Sequence, residues 1–158
     1  MSAAREEILG RVRAAVTGAK AEPVERAYGR SLGLDPAATV ARFCERVADY
    51  RATVHRVGED GVAATVAGVA ARPLLVPDGV PEAWLPAGAS LARDTGLTPA
   101  ELDAVGGVLT GCTLAIAETG TIVLSGAPAE GRRALTLVPD LHVCVVRAAQ
   151  VVDSVPAA

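Results

Sequence analysis

Hydrophobic positions recur at helical spacing at the start of the chain. Ile8, Leu9, Val12 and Val16 share one face, and Glu6 and Glu7 sit near its positive end. This predicts a helix over 3–17. Residues 18–34 mix glycine, proline and charge and read as a linker. The leading helix is therefore expected to be the least firmly attached part of the molecule. The chain divides into an N-terminal helix and linker, 1–34, and an α/β domain, 35–158. Asp35-Pro36 starts the domain as a helix N-cap followed by a first-turn proline, with Val40, Phe43, Cys44 and Val47 on one face. A strand is expected over 53–57 and a helix over 60–70. Pro73-Leu74-Leu75-Val76-Pro77 reads as a short buried strand between prolines. Thr98-Pro99-Ala100-Glu101 is a capping box that opens another helix.

The pattern then changes. Residues 106–123 are almost all apolar or small, and Glu118 is their one charge. Short apolar and β-branched runs follow, and strands are expected over 122–124, 135–137 and 143–146. Continuous runs of this kind suit strands buried on both faces. Their alternation with helices implies an α/β fold, a three-layer α/β/α arrangement with a mostly parallel sheet.

Composition narrows the function classes. The chain has 158 residues, one domain's length, of which 51% are hydrophobic and only 3% aromatic. A surface that stacks bases or sugars would need more rings. The net charge of -3 comes without a basic block, which argues against nucleic acid or an anionic membrane as partner. No apolar run reaches the roughly 18 residues of a spanning helix. Acids stand at Glu6 and Glu7, where a signal peptide would carry bases, so the expected compartment is the cytoplasm. Cys44, Cys112 and Cys144 are odd in number and widely spaced. They form neither a disulfide framework nor the close pairs of a structural zinc or iron–sulfur motif.

Three segments carry candidate chemistry. In Ala115-Ile116-Ala117-Glu118-Thr119-Gly120-Thr121, a carboxylate, two hydroxyls and a glycine interrupt an apolar stretch. Glycine lets the backbone turn or approach a ligand. A carboxylate in apolar surroundings needs a partner or has a raised pKa, and serves as a nucleophile or general base. The plainer alternative is that Glu118 caps a turn through backbone amides. Ser125-Gly126-Ala127-Pro128-Ala129-Glu130-Gly131-Arg132-Arg133 is a small-residue loop ending in two guanidiniums. It either holds a carboxylate or phosphate or is a solvated loop whose arginines pair with surface acids. His142 and Cys144 share one face of a strand, with Cys112 as the only obvious further ligand, so a core strand is favoured over a metal site. Trp84 is expected to anchor packing.

Several of these residues carry a resemblance. Gly107-Val108-Leu109-Thr110-Gly111-Cys112, the Ala115–Thr121 run, Gly131-Arg132-Arg133 and Leu137-Val138-Pro139-Asp140-Leu141-His142 resemble the lactate-utilization protein C family, or LUD domain. The Ala-Ile-Ala-Glu-Thr-Gly-Thr run is the most specific part. Ile8 to Ala15 and Tyr50 to Val54 also fit. The resemblance implies a fold similar to NagB, ribose-5-phosphate isomerase and CoA transferases. It implies an accessory component of an L-lactate utilization system, acting beside iron–sulfur partner proteins in oxidising L-lactate to pyruvate, with no cofactor bound by this chain. Two alternatives stay open: a CoA-transferase-like enzyme on a carboxylate or acyl substrate, or a sensor of a small organic acid. The resemblance makes Glu118 the candidate catalytic residue, and Thr119, Gly120, Thr121, Arg132 and Arg133 the candidate ligand-binding residues. Members of the family normally continue further, through Ser-Gly-Pro-Ser, Asp-Ile-Glu and Gly-Val-His-Gly-Pro stretches, whereas this chain stops at Val155-Pro156-Ala157-Ala158. An exposed apolar face near 151–158 and self-association are therefore expected.

Overall fold

The computed structural model describes residues 3–19, 24–25, 29, 31–70 and 72–158. Residues 20–23, 26–28 and 30 of the expected linker lie outside them. Helix α1 spans Ala3–Val16 and buries no residue. Its apolar stripe faces solvent, with Ile8 62% and Val12 52% exposed. Helix α2 spans Pro36–Asp49. The Asp35 carboxylate accepts from Ala38 N at 2.8 Å, a cap worth about 1 kcal/mol, and Pro36 occupies the first turn. Helix α3, Val62–Val69, follows a single 3-10 turn at Glu59–Gly61 and buries Val62 and Val66. Helix α4, Pro99–Ala104, opens on the expected capping box: Thr98 Oγ1 accepts from Glu101 N, and the Glu101 carboxylate accepts from Thr98 N.

The main sheet is parallel throughout. It comprises β1 (Leu74–Val76), β2 (Leu91–Arg93), β3 (Val108–Thr110) and β6 (His142–Cys144) in the order β2-β1-β3-β6. Strand alternation sends side chains to two cores. Leu74, Val76 and Leu109 pack on α3 and Trp84. Leu75 and Val108 pack on Leu102 of α4 and on Leu135. Helical elements thus cover both faces, the layered α/β arrangement that the alternating pattern implied.

A second sheet was not foreseen. It holds β4 (Leu114–Ile116), β5 (Thr121–Val123) and β7 (Val151–Val152) in the order β5-β4-β7, antiparallel on one side of β4 and parallel on the other. Its core is Phe43, Ala115 and Ala117, with Val47, Ile122, Val146 and Val151 packed around them. The long apolar run therefore breaks at Gly111-Cys112-Thr113 and feeds two different sheets.

Two expected strands are absent. Residues 53–57 run exposed and unpaired. Strand propensity expresses fit to a half-buried pleated surface, and no such surface lies there. Over 135–137 the chain makes a 3-10 turn, Arg133–Thr136. The turn buries Leu135 completely and leaves Leu137 64% exposed. Strand alternation would have put both on one face. The expected strand over 74–76 is found at those residues, and those expected over 122–124 and 143–146 are found over Thr121–Val123 and His142–Cys144. Near the C-terminus, Val151 packs into the second core, while Val155 remains 53% exposed.

Candidate functional site

Residues 117–120 form the turn between β4 and β5, and Thr121 opens β5. The turn is held by Gly120 N donating to Ile116 O at 2.9 Å and by a 2.7 Å bond between the Thr119 and Thr121 hydroxyls. Gly120 has φ +70°, and a Cβ there would lie 2.9 Å from the Arg46 backbone of α2. The glycine serves close packing of turn on helix rather than close approach to a ligand. Glu118 is exposed. Its carboxylate accepts from Val155 N at 3.2 Å, not from the amides of its own turn. The expected apolar setting of this carboxylate is thus corrected. The neighbouring Ala115, Ile116 and Ala117 are buried, but Glu118 lies past the end of β4, in the turn, and is exposed.

The buried carboxylate is Glu130, 2% exposed. One of its oxygens accepts from the backbone amides of Ser125, Gly126 and Ala127, at 2.5, 2.7 and 3.2 Å. The other accepts from the Thr113 hydroxyl at 2.6 Å. Burial pushes this carboxyl up. The bonds from Thr113, Gly126, Ser125 and Ala127 outweigh burial and hold it below the usual range. Sequence reasoning named the loop but looked to its arginines. The usable signal was a glutamate five residues after Ser125 across Gly126, a spacing that lets a carboxylate fold back on successive amides.

The loop sits where an open parallel sheet ordinarily receives a ligand. The chain moves from β1 outward to β2 and then returns to β3 on the other side of β1, so the strand order reverses between β1 and β3. Beyond the carboxyl ends of those strands, Gly79 N donates to Pro128 O at 3.2 Å and Gly111 N to Ala129 O at 2.9 Å. The approach is close enough that a Cβ at Gly79 would lie 2.5 Å from the Ala129 amide nitrogen. Loop 125–131 fills the crevice. Beside it, Trp84 stacks under the Arg147 guanidinium, 4.9 Å from the ring centre, and packs in the core as expected.

The two arginines separate. Arg132 forks onto Asp94 at 2.6 and 3.1 Å and donates to Leu97 O at 2.5 Å. The bond from Arg132 holds the Asp94 carboxyl below its usual range, against burial. Arg133 lines a recess of about 40 Å³ with Leu124, Gly126, Glu130, Gly131 and Thr136. That volume holds a few waters and is far below the roughly 300–1,000 Å³ of small-molecule pockets. No hydrogen bond or ion pair joins Glu118 to either arginine, and the recess that Arg133 lines does not include Glu118. A wider, open groove of about 580 Å³, lined by Leu32, Leu34, Ala38, Ala41, Arg42 and Glu45, shares no residue with either. At the edge of the main sheet, His142 Nε2 bonds the fully buried Thr110 hydroxyl at 2.7 Å.

Comparison with known proteins bears on this arrangement. The family model described as LUD domain matches residues 97–158, a span that contains Glu118, Glu130 and strands β3 to β7. A protein of Deinococcus radiodurans named Lactate utilization protein C is 39% identical over 155 residues, covering 96% of this chain and 73% of the relative. The chain belongs to the lactate utilization protein C family. A solved structure of a DUF162 family protein from the same organism superposes with a TM-score of 0.74 at 43% identity, over 77% of this chain and 76% of that one. The α/β fold of this family member is therefore shared with an experimental structure. No helix among the described residues is long and apolar enough to cross a membrane.

Proposed function

We propose that this chain is an accessory component of an L-lactate utilization system, working in the cytoplasm beside iron–sulfur partner proteins in the oxidation of L-lactate to pyruvate. The observation that carries the reading is the 39% identity, across 96% of the chain, to a protein named for lactate utilization. The geometry favours this accessory role over the alternatives. An acyl-transfer reaction on Glu118 would need a crevice that shields the intermediate from water. Glu118 instead stands exposed, and the crevice of the parallel sheet is filled by the chain's own loop. A sensor of a small organic acid would need an enclosed pocket, whereas the recess beside Arg133 is too small and the larger groove from Leu32 to Glu45 is open to solvent. The exposed Glu118 and Thr121, with the half-buried Thr119 and Gly120 between them, are then the face offered to a partner, and Arg132 and Arg133 act on the loop and its recess.

The test is genetic and biochemical together. Deleting the gene is expected to abolish growth on L-lactate as sole carbon source and leave growth on pyruvate intact. Affinity purification of the tagged chain is expected to bring down proteins with the visible absorption of iron–sulfur clusters. Normal growth of the deletion strain on L-lactate would overturn the reading.

A further inference from the structure

Cys112 and Cys144 are far apart in sequence, but the fold sets them against each other. Thr110, the last residue of β3, is in register with Cys144 of β6, and Cys112 follows two residues later, just past the strand. Each thiol reaches the carbonyl beside the other cysteine. Cys144 Sγ lies 3.6 Å from Gly111 O, and Cys112 Sγ lies 4.0 Å from Val145 O. Cys112 is 8% exposed, and Cys144 is half-buried at the outer strand of the sheet, which gives a small oxidant a way in.

We propose that Cys112 and Cys144 are a redox-active pair that closes to an intramolecular disulfide when the protein meets a hydroperoxide. The Cys112 thiolate attacks one peroxide oxygen, the O–O bond breaks, and the departing hydroxide takes up a proton and leaves as water. Cys112 is then a sulfenic acid. The Cys144 sulfur attacks the Cys112 sulfur, the S–O bond breaks as the S–S bond forms, and the hydroxide leaves with the Cys144 proton as a second water. Two thiols are oxidised and one hydrogen peroxide is reduced to two waters.

The roles follow from the surroundings. The neighbouring Cys144 thiol holds the Cys112 thiol below its ordinary range, against burial and the Glu130 charge, and so favours the thiolate that attacks. The neighbouring Cys112 thiol, then burial, pushes the Cys144 thiol up, as suits the resolving partner. The bridge would tie outer strand β6 to the turn that leaves β3. That turn is the one whose Gly111 and Thr113 hold loop 125–131.

The test uses the reduced full-length chain, exposed to hydrogen peroxide, blocked with iodoacetamide and read by intact mass and peptide mapping. The expected result is one iodoacetamide label per chain, on Cys44, where the reduced control carries three, a peptide containing Cys112 linked to one containing Cys144, and full reversal by dithiothreitol. Cys44→Ser should form the same linked pair, since Cys44 lies on α2. Cys144→Ser should accumulate a sulfenic acid on Cys112 that dimedone traps. Should that variant not fold, the peptide map of the unaltered chain decides alone. A disulfide through Cys44 or between two chains overturns the proposal. So does peroxide treatment that leaves both thiols free, or that carries Cys112 past sulfenic acid while Cys144 stays alkylatable.

Discussion

Glu118 and Glu130 lie twelve positions apart in numbering, each where small and polar residues interrupt an apolar pattern, yet the fold uses them in opposite ways. Glu118 is exposed and accepts one backbone amide. Glu130 is buried and gathers three amides and the Thr113 hydroxyl, so its ionised form is sustained by the protein rather than by water. A charge taken out of water without such partners would cost several kcal/mol. Burial therefore marks Glu130 as the carboxylate that holds the structure, and exposure leaves Glu118 free to act on something else.

Removing the Glu130 carboxylate should produce the largest effect. Glu130→Ala orphans the amides of Ser125, Gly126 and Ala127 at once. We expect a loss of about 3 kcal/mol, roughly 6–12 °C in Tm by thermal unfolding. The same carboxylate sets a pH dependence. Its folded pKa lies below the ordinary value of 4.5, so its contribution is complete above that value and disappears as pH falls through the folded pKa. The Tm of the unaltered chain should therefore converge on that of Glu130→Ala in acid. A gap between them that persists or widens there would break the contrast.

Gly79→Ala should come next. Its Cβ would meet the backbone of Pro128 and Ala129 at 2.5 Å, and backbone cannot swing aside as a flexible side chain can. Overpacking of this kind costs about 1–3 kcal/mol, and calorimetry should report a few degrees. Arg132→Ala should cost less, about 2 °C, because its pair with Asp94 is partly solvated. A drop as large as that of Glu130→Ala would mean that the loop is anchored by its arginine instead.

Much of this architecture was legible in the sequence. Asp35-Pro36, the Thr98–Glu101 box and the proline-bracketed β1 each carry a local signal strong enough to survive tertiary packing. The α/β layering followed from their alternation. The strands expected over 53–57 and 135–137 failed because strand residues need a neighbouring edge, and sequence does not say where an edge will lie. The Ala115–Thr121 run identified the family, yet the buried site went to Glu130. Only the fold brings Thr113, the Ser125–Ala127 amides and the glycines after β1 and β3 to one place. Of the two readings of the arginines beside that site, an anion clamp or pairing with surface acids, Arg132 takes the second, held by Asp94, 38 residues away in sequence.

The most direct measurement pairs stability with growth for Glu118→Gln. The substituted side chain keeps an oxygen for Val155 N, so Tm should stay within about 1 °C of the unaltered chain. In a strain that depends on this gene, growth on L-lactate should be lost while the protein remains folded and at normal abundance. Full growth on L-lactate with unchanged Tm would contradict the account, because the exposed signature carboxylate would then serve neither the fold nor lactate utilization.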